Sequence, residues 1–388
     1  MTEIRFPTRE IGSLAKPGWR VKAIASRPLE ERDVEEAQRW GGRLGVEGAE
    51  ELIEILRKGG GFTERERQKI HDYAALYGIR LLERAGLDAV YDGEQRRSEM
   101  YDHVVRHARG FESRGTVRSF DNKYYTKAAV VEKPLVERPY DLQEFEFVRS
   151  HTDRTVKVPF TGAYTIVDWS YDEHYASSNG SMLGAAAKER SRARRRFGMD
   201  VAREVVRPNV LGLVEAGAEW VQIDEPAATT RPEEVPLVVE TFNATREGVR
   251  ARASMHICFS DYNSLFPHIE ALDDCYELQL EFSNRDSRGP GTRAEDRPGY
   301  DVLGKFASFA SEWAGKVGLG VIDIHTNFIE PPELVRDRIL YAARVLGPER
   351  LEVNTDCGLR TRTWEVSLEK LRNMVEGARL AEKELNGS

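Results

Sequence analysis

A chain of 388 residues, 40% hydrophobic and 31% charged, has an ordinary globular composition and room for two average domains or one α/β barrel. Its net charge of −8 argues against a nucleic-acid partner, and no apolar run reaches the roughly 18 residues of a membrane span. The opening residues have no apolar stretch behind a basic one, so no secretory signal is read and a cytoplasmic location is expected.

Short β-branched runs alternate with longer amphipathic stretches, the pattern of a parallel α/β fold. In chain order, a strand is expected at 9–13, a helical excursion at about 20–60, a helix at 64–84 and a second strand at 87–92. A longer excursion, about 100–154, follows and contains the aromatic-rich run Phe120, Asp121, Asn122, Lys123, Tyr124, Tyr125. Further strands are expected at 155–160, 219–223, 253–257, 277–280, 317–322 and 351–354, with helices at 188–215, 233–250, 299–315, 332–346 and 365–385. Eight strands, mostly followed by a helix, predict a (β/α)₈ TIM barrel forming one domain over 1–388, with a doubly wound open sheet as the alternative. Excursions this long in a compact fold are usually functional.

The informative feature is what ends each strand. Ser13, Glu94, Asp224 with Glu225, His256 with Cys258, Glu281, Asp323 with His325, and Asp356 with Cys357 all fall at or just after expected C-terminal strand ends. In a parallel barrel these ends share one mouth, where such enzymes keep their active sites. Turn-favouring polar residues would account for one or two of them but poorly for seven.

Three cysteines, Cys258, Cys275 and Cys357, are too few and too scattered for a disulfide framework. His256 and Cys258 lie two apart on an extended segment and so point to the same side. Cys357 and Glu281 end two other strands. Two thiolates, an imidazole and a carboxylate form a tetrahedral set that selects zinc, and drawing them from separate strands suits a reaction site better than a structural one. Such a site, electron-rich and with an exchangeable carboxylate, would activate a substrate thiol for alkyl transfer. Cys275 precedes a strand, at the opposite end of the barrel, and reads as structural.

These motifs resemble the C-terminal catalytic barrel of cobalamin-independent methionine synthase. The likeness runs through Glu10-Ile11-Gly12-Ser13, Asp92-Gly93-Glu94, Asp168-Trp169-Ser170, Gln222-Ile223-Asp224-Glu225-Pro226, His256-Ile257-Cys258, Glu281-Phe282-Ser283, Val321-Ile322-Asp323-Ile324-His325 and the run from Asn354 to Thr361. It implies Zn²⁺ held by His256, Cys258, Glu281 and Cys357, and homocysteine held by Ile11, Ser13, Glu94 and Asp224. It further implies His325 handling the leaving group's proton and Trp169 contacting the methyl donor. Glu94 and Asp224 would pair a substrate ammonium. The segment around 119–125 lacks the long form's arginine-containing folate-binding run, so the chain is most similar to short, single-barrel core enzymes. Some of those take the methyl from a corrinoid, which leaves methyl-corrinoid, a corrinoid protein and methyltetrahydrofolate as donors. The rival activity is another zinc-dependent thiol alkyltransferase, such as an epoxyalkane–coenzyme M transferase-like enzyme; the two carboxylates disfavour its sulfonate acceptor. The basic run 188–196 reads as a solvated helix face, with docking of an acidic partner as the alternative.

Overall fold

The computed structural model describes residues 3–118, 124–176 and 183–387, so most of the aromatic-rich run in the second excursion lies outside the described residues. The strands are β1 (Thr8–Arg9), β2 (Ala89–Val90), β3 (Arg109–Arg118), β4 (Tyr124–Leu135), β5 (Thr155–Thr161), β6 (Tyr171–Asp172), β7 (Trp220–Asp224), β8 (Arg252–Ile257), β9 (Glu277–Leu280), β10 (Lys316–Gly320) and β11 (Leu351–Asn354). A closed barrel forms in the order β1-β11-β10-β9-β8-β7-β5-β2, every neighbouring pair parallel. This is the expected eight-stranded (β/α)₈ barrel.

The first excursion is helical as expected, with α1 (Gly18–Ile24), α2 (Glu31–Leu44) and α3 (Ala49–Leu56) ahead of α4 (Glu64–Ala85). A capping box starts α4: the Thr63 hydroxyl accepts from Glu66 N while the Glu66 carboxylate accepts from Thr63 N. The second excursion differs from a simple helical insert. Between α5 (Met100–His107) and α6 (Leu142–Ser150), β3 and β4 pair antiparallel, and β6 adds to β4 in parallel. From Glu112 to Arg118, β3 is exposed on both faces, and two register shifts interrupt the pairing. It therefore lacks the period-two apolar signal that marks a half-buried strand.

Beyond the hairpin come α7 (Ala163–Trp169), α8 (Leu183–Val201), α9 (Arg207–Glu215), α10 (Val235–Arg246), α11 (Leu303–Ser308), α12 (Pro332–Leu346) and α13 (Trp364–Leu385). The helix expected at 188–215 is one helical run with a π-helical turn, Ala202–Val206, between α8 and α9. Pro208 explains the turn, because it has no N–H and its ring displaces the carbonyl of Glu204 four residues earlier. The displaced Glu204 carbonyl instead accepts from Val136 N at 3.0 Å, tying the helix to the end of the hairpin. The helix expected over 299–315 shrinks to the six residues of α11.

Cys275 is buried just ahead of β9, away from the mouth, and burial pushes its thiol up to about 12. That is an inert, structural cysteine.

The barrel interior is polar at its N-terminal end. Arg9, fully buried, donates to Glu352 Oε2 at 2.7 Å and to Glu277, and so clips β1 to β11 and β9. Gly318 on β10 leaves the space: a Cβ there would lie 2.6 Å from Glu277 Oε1 and 2.5 Å from Asn354 Oδ1. Arg9→Met leaves two buried carboxylates without their guanidinium. A destabilisation of roughly 3–5 kcal/mol is expected in urea titration, and a loss below about 1 kcal/mol would show that the clip does not hold the barrel closed.

Candidate active site

A cavity of about 740 Å³ opens at the C-terminal ends of the strands. Its lining contains Ile11, Ser13, Glu94, Trp169, Asp224, His256, Cys258, His325 and Cys357, so strand ends remote in sequence share one wall.

At its floor, the ligand atoms of His256, Cys258 and Cys357 lie within 4.8 Å of one another, and the two sulfurs are 3.5 Å apart. His256 and Cys258 come from β8 and the residue after it, as the two-residue spacing requires; Cys357 comes from the loop after β11. His256 Nδ1 donates to the Gln279 carbonyl at 3.1 Å, which fixes the ring and leaves Nε2 buried without a protein partner. A buried imidazole nitrogen without a hydrogen-bond partner, within 4.8 Å of two sulfurs, gives a donor set that could hold a metal ion, with the ring already oriented by the Gln279 carbonyl. The hydrogen bond between the thiols, with burial opposing it and His256 assisting, holds Cys357 well below the usual thiol range. The same hydrogen bond pushes Cys258 well above it.

Glu281 is buried beside this group but turned to other partners. It accepts from Phe259 N at 3.2 Å and from the Asn284 amide, and stands 3.7 Å from His325 Nε2. The three ligand atoms lie together without it, and the carboxylate stands at the edge of the group. Asp356 sets this geometry: its carboxylate accepts from Phe282 N (3.1 Å), Ser283 N (3.0 Å) and Asn284 N (2.8 Å), gathering the turn that follows Glu281.

Glu94 sits at a left-handed φ of 56°, directly after Gly93 at 69°, with its N–H held by Asp92 Oδ1 at 2.7 Å. A non-glycine residue in that region costs free energy and is kept where its side chain is needed. Gly12 makes the room: a Cβ there would come within 2.9 Å of Glu94 Oε1. Asp224 ends β7 and is buried; burial pushes its carboxyl up to about 7, with Glu94 adding to the effect and His256, Gln222 and Lys157 opposing it. Its neighbour Glu225 does different work, accepting from Tyr164 N (3.0 Å), Thr165 N (2.7 Å) and Thr165 Oγ1 (2.6 Å) to cap the start of α7.

His325 follows β10 and is exposed where it lines the cavity, edge-on to Phe259 with ring centroids 4.8 Å apart. The Glu281 carboxylate raises its pKa, burial opposing. Trp169 ends α7 and packs edge-on against Tyr101 at 6.1 Å. Ser13 lines the cavity, whereas the Ile11 carbonyl already accepts from Lys157 Nζ and Gln222 Nε2, both at 2.7 Å.

Lys157 and Gln222 were not among the expected site residues, and neither were the hairpin residues Arg118, Tyr125 and Lys127, which line the cavity. The signal for Lys157 was present: a lone lysine inside the otherwise apolar Val156 to Phe160 stretch of a buried strand. The basic run 188–196 is mainly solvent-facing, with Arg195 and Arg196 paired to Glu240 and Glu189. Arg194 is the exception, binding Asp168 at 2.9 Å and Glu234 at 2.7 Å.

A family model described as the cobalamin-independent synthase catalytic domain matches residues 50–380. The chain belongs to the cobalamin-independent methionine synthase family. Members of this family are methyltransferases, and so is this enzyme. It is 39% identical to a methionine synthase of Thermoplasma acidophilum over 304 residues, 76% of this chain and 85% of that relative. It is 33% identical to one of Pyrococcus furiosus over 381 residues, 98% of this chain and 94% of the relative. In structure it is similar to a B12-independent methionine synthase from Shewanella sp. W3-18-1 in complex with selenomethionine, with a TM-score of 0.74, 22% identity and coverage of 99% and 100% of the two chains. Among the described residues, no helix is long and apolar enough to cross a membrane.

Asp356→Ala removes the acceptor for three backbone N–H groups and frees the turn behind Glu281. Chelator-competition titration is expected to show divalent metal affinity falling about 10–100-fold. Unchanged affinity would mean that the turn plays no part in holding the site.

Proposed function

We propose that the enzyme moves a methyl group from a methyl-corrinoid, free or protein-borne, or from methyltetrahydrofolate to the thiol of homocysteine, forming methionine. The observation that carries this reading is the single cavity whose wall joins the His256, Cys258, Cys357 group to the carboxylates of Glu94 and Asp224. Relatives named methionine synthase, similar over most of the chain, support the choice of acceptor.

In this reading His256, Cys258 and Cys357 hold Zn²⁺, with Glu281 as the fourth, displaceable ligand. The nitrogen-and-sulfur donor set and the unpartnered His256 Nε2 suit that ion. When bound, zinc supplies the Lewis acidity that keeps a thiol deprotonated near neutral pH. Glu94 and Asp224 receive the ammonium of the amino acid, which orients its sulfur toward the floor of the cavity. A thiol carrying a sulfonate and no ammonium would meet two repelling carboxylates instead.

Trp169, braced by Tyr101, offers a flat face to the donor. The sulfur's electron pair forms the new S–CH₃ bond as the bond from that carbon to the donor breaks, and the breaking bond's pair departs with the donor. His325, its basicity raised by Glu281, holds a proton at Nε2 for a leaving group that needs one. The reducing cytoplasm suits a chain whose described cysteines are all free thiols.

Zinc-loaded enzyme is expected to convert homocysteine to methionine, followed by mass spectrometry, with methylcobalamin or methyltetrahydrofolate supplied in turn. Product from neither donor would remove this acceptor–donor assignment. Cys357→Ser is expected to lose both bound zinc, measured by elemental analysis, and turnover; a variant that keeps turnover would refute the site.

A further inference from the structure

Below the cavity, a side chain on β5, one on β7 and the backbone just after β1 close a hydrogen-bonded ring. Lys157 Nζ, on β5, donates to the Ile11 carbonyl at 2.7 Å and to Gln222 Oε1. Gln222 Nε2, on β7, donates to the same carbonyl at 2.7 Å and to Asp224 Oδ1 at 2.7 Å. Lys157, Gln222 and Ile11 are buried, Lys157 and Gln222 at 2% and 0% exposure.

This ring has two consequences. The Ile11 carbonyl has two lone pairs and both are engaged, so it has no acceptor capacity left for a substrate. A terminal amide has one acceptor end and one donor end. With Lys157 fixing Oε1, Nε2 must face Asp224, so the lysine determines which end of Gln222 meets the carboxylate. Asp224 is then held through Oδ1, and Oδ2 is the oxygen available to a ligand in the cavity that Asp224 lines. Lys157 also offsets part of the negative charge that Glu10, Glu94 and Asp224 bring to this region, each of which acts electrostatically on it.

We propose that Lys157 and Gln222 are positioning residues that orient the Asp224 carboxylate toward an incoming ammonium, and so set the enzyme's selectivity for thiols bearing an α-amino group. The inference rests on the reading of Glu94 and Asp224 as the ammonium site. It assigns that contact to side-chain carboxylates, with the Ile11 carbonyl serving as an internal strut.

The test compares dissociation constants, by calorimetry on zinc-loaded protein without methyl donor, for homocysteine and for 4-mercaptobutanoate, which keeps the thiol and carboxylate but lacks the amine. Wild-type enzyme is expected to favour homocysteine. Gln222→Leu and Lys157→Met are each expected to weaken homocysteine about ten-fold, the size of one hydrogen bond to a charged group. Binding of 4-mercaptobutanoate and zinc stoichiometry should not change. Equal weakening of both thiols, or full retention of the preference in both variants, would overturn the positioning role and leave the ammonium site standing. A wild-type enzyme that binds the two thiols equally would overturn the ammonium site and this inference with it. If Lys157→Met does not fold, Gln222→Leu decides the matter alone, because it removes the contact to Asp224 without removing a charge.

Discussion

The register between β7 and β8 sets Asp224 opposite His256, and the parallel pairing of β5 with β7 sets Thr161 opposite Asp224. Because side chains alternate along a strand, a slip of one residue would turn both ionisable groups out of the barrel. The strand pairing must therefore be exact for a carboxylate suited to one end of a substrate and an imidazole suited to a metal to share a wall. That exactness is enforced from within. Arg9 clips three strands together at the closed end, and the ring of Lys157, Gln222 and the Ile11 carbonyl ties β5, β7 and the chain after β1 beneath the cavity. Polar groups inside a barrel are costly unless each finds a partner, so these networks both satisfy the interior and select one register.

At the strand ends a division of labour recurs. In four places one carboxylate accepts from backbone N–H groups while a neighbour one or two residues away lines the cavity. Asp92 holds the N–H of Glu94, and Asp323 Oδ1 holds the N–H of His325 at 2.8 Å. Glu225 caps α7 beside Asp224, and Asp356 gathers the turn after Glu281 beside Cys357. Asp92 and Asp323 are local acceptors of the kind Asp favours in turns, whereas Glu225 and Asp356 reach N–H groups 60 and 73 residues away in the chain. They explain why so many acidic residues accumulate at one mouth without all of them facing a substrate. Asp92, Glu225, Asp323 and Asp356 support loops and a helix start, whereas Glu94 and Asp224 line the cavity.

This division also marks what could be read from the residues alone. The barrel was legible because its buried strands are short apolar runs between clear helical periods, and His256 with Cys258 was legible because spacing by two on a strand dictates a shared face. The pairing of Asp224 with Glu225 gave no hint of which one caps a helix, since that depends on where α7 begins in space. The hairpin was missed because exposed strands with bulges carry no alternation. Lys157 and Gln222 were missed because their partners lie 146 and 211 residues away in the chain, at the Ile11 carbonyl, and no local pattern encodes a contact of that separation.

The dimensions of the cavity carry the argument one step further. About 740 Å³ falls in the range of sites that enclose a drug-sized ligand, more than an amino-acid thiol fills. The remaining space is bounded by Trp169 and by the hairpin, where Tyr125 lies against the Arg360 guanidinium with 5.2 Å from ring centroid to Cζ. Tyr101 braces this side from below: its hydroxyl is 2.8 Å from Ser170 Oγ and accepts from Ala128 N on β4 at 3.3 Å, linking α5, the end of α7 and the hairpin. In the proposed reading the acceptor-binding residues thus stand on the barrel, whose register is fixed by buried networks, while the space left for the donor is bounded by Trp169 at the end of α7 and by a hairpin whose β3 is exposed from Glu112 to Arg118. On that reading, such a scaffold keeps one acceptor chemistry constant on the barrel while changes in the hairpin reshape the wall that faces the donor.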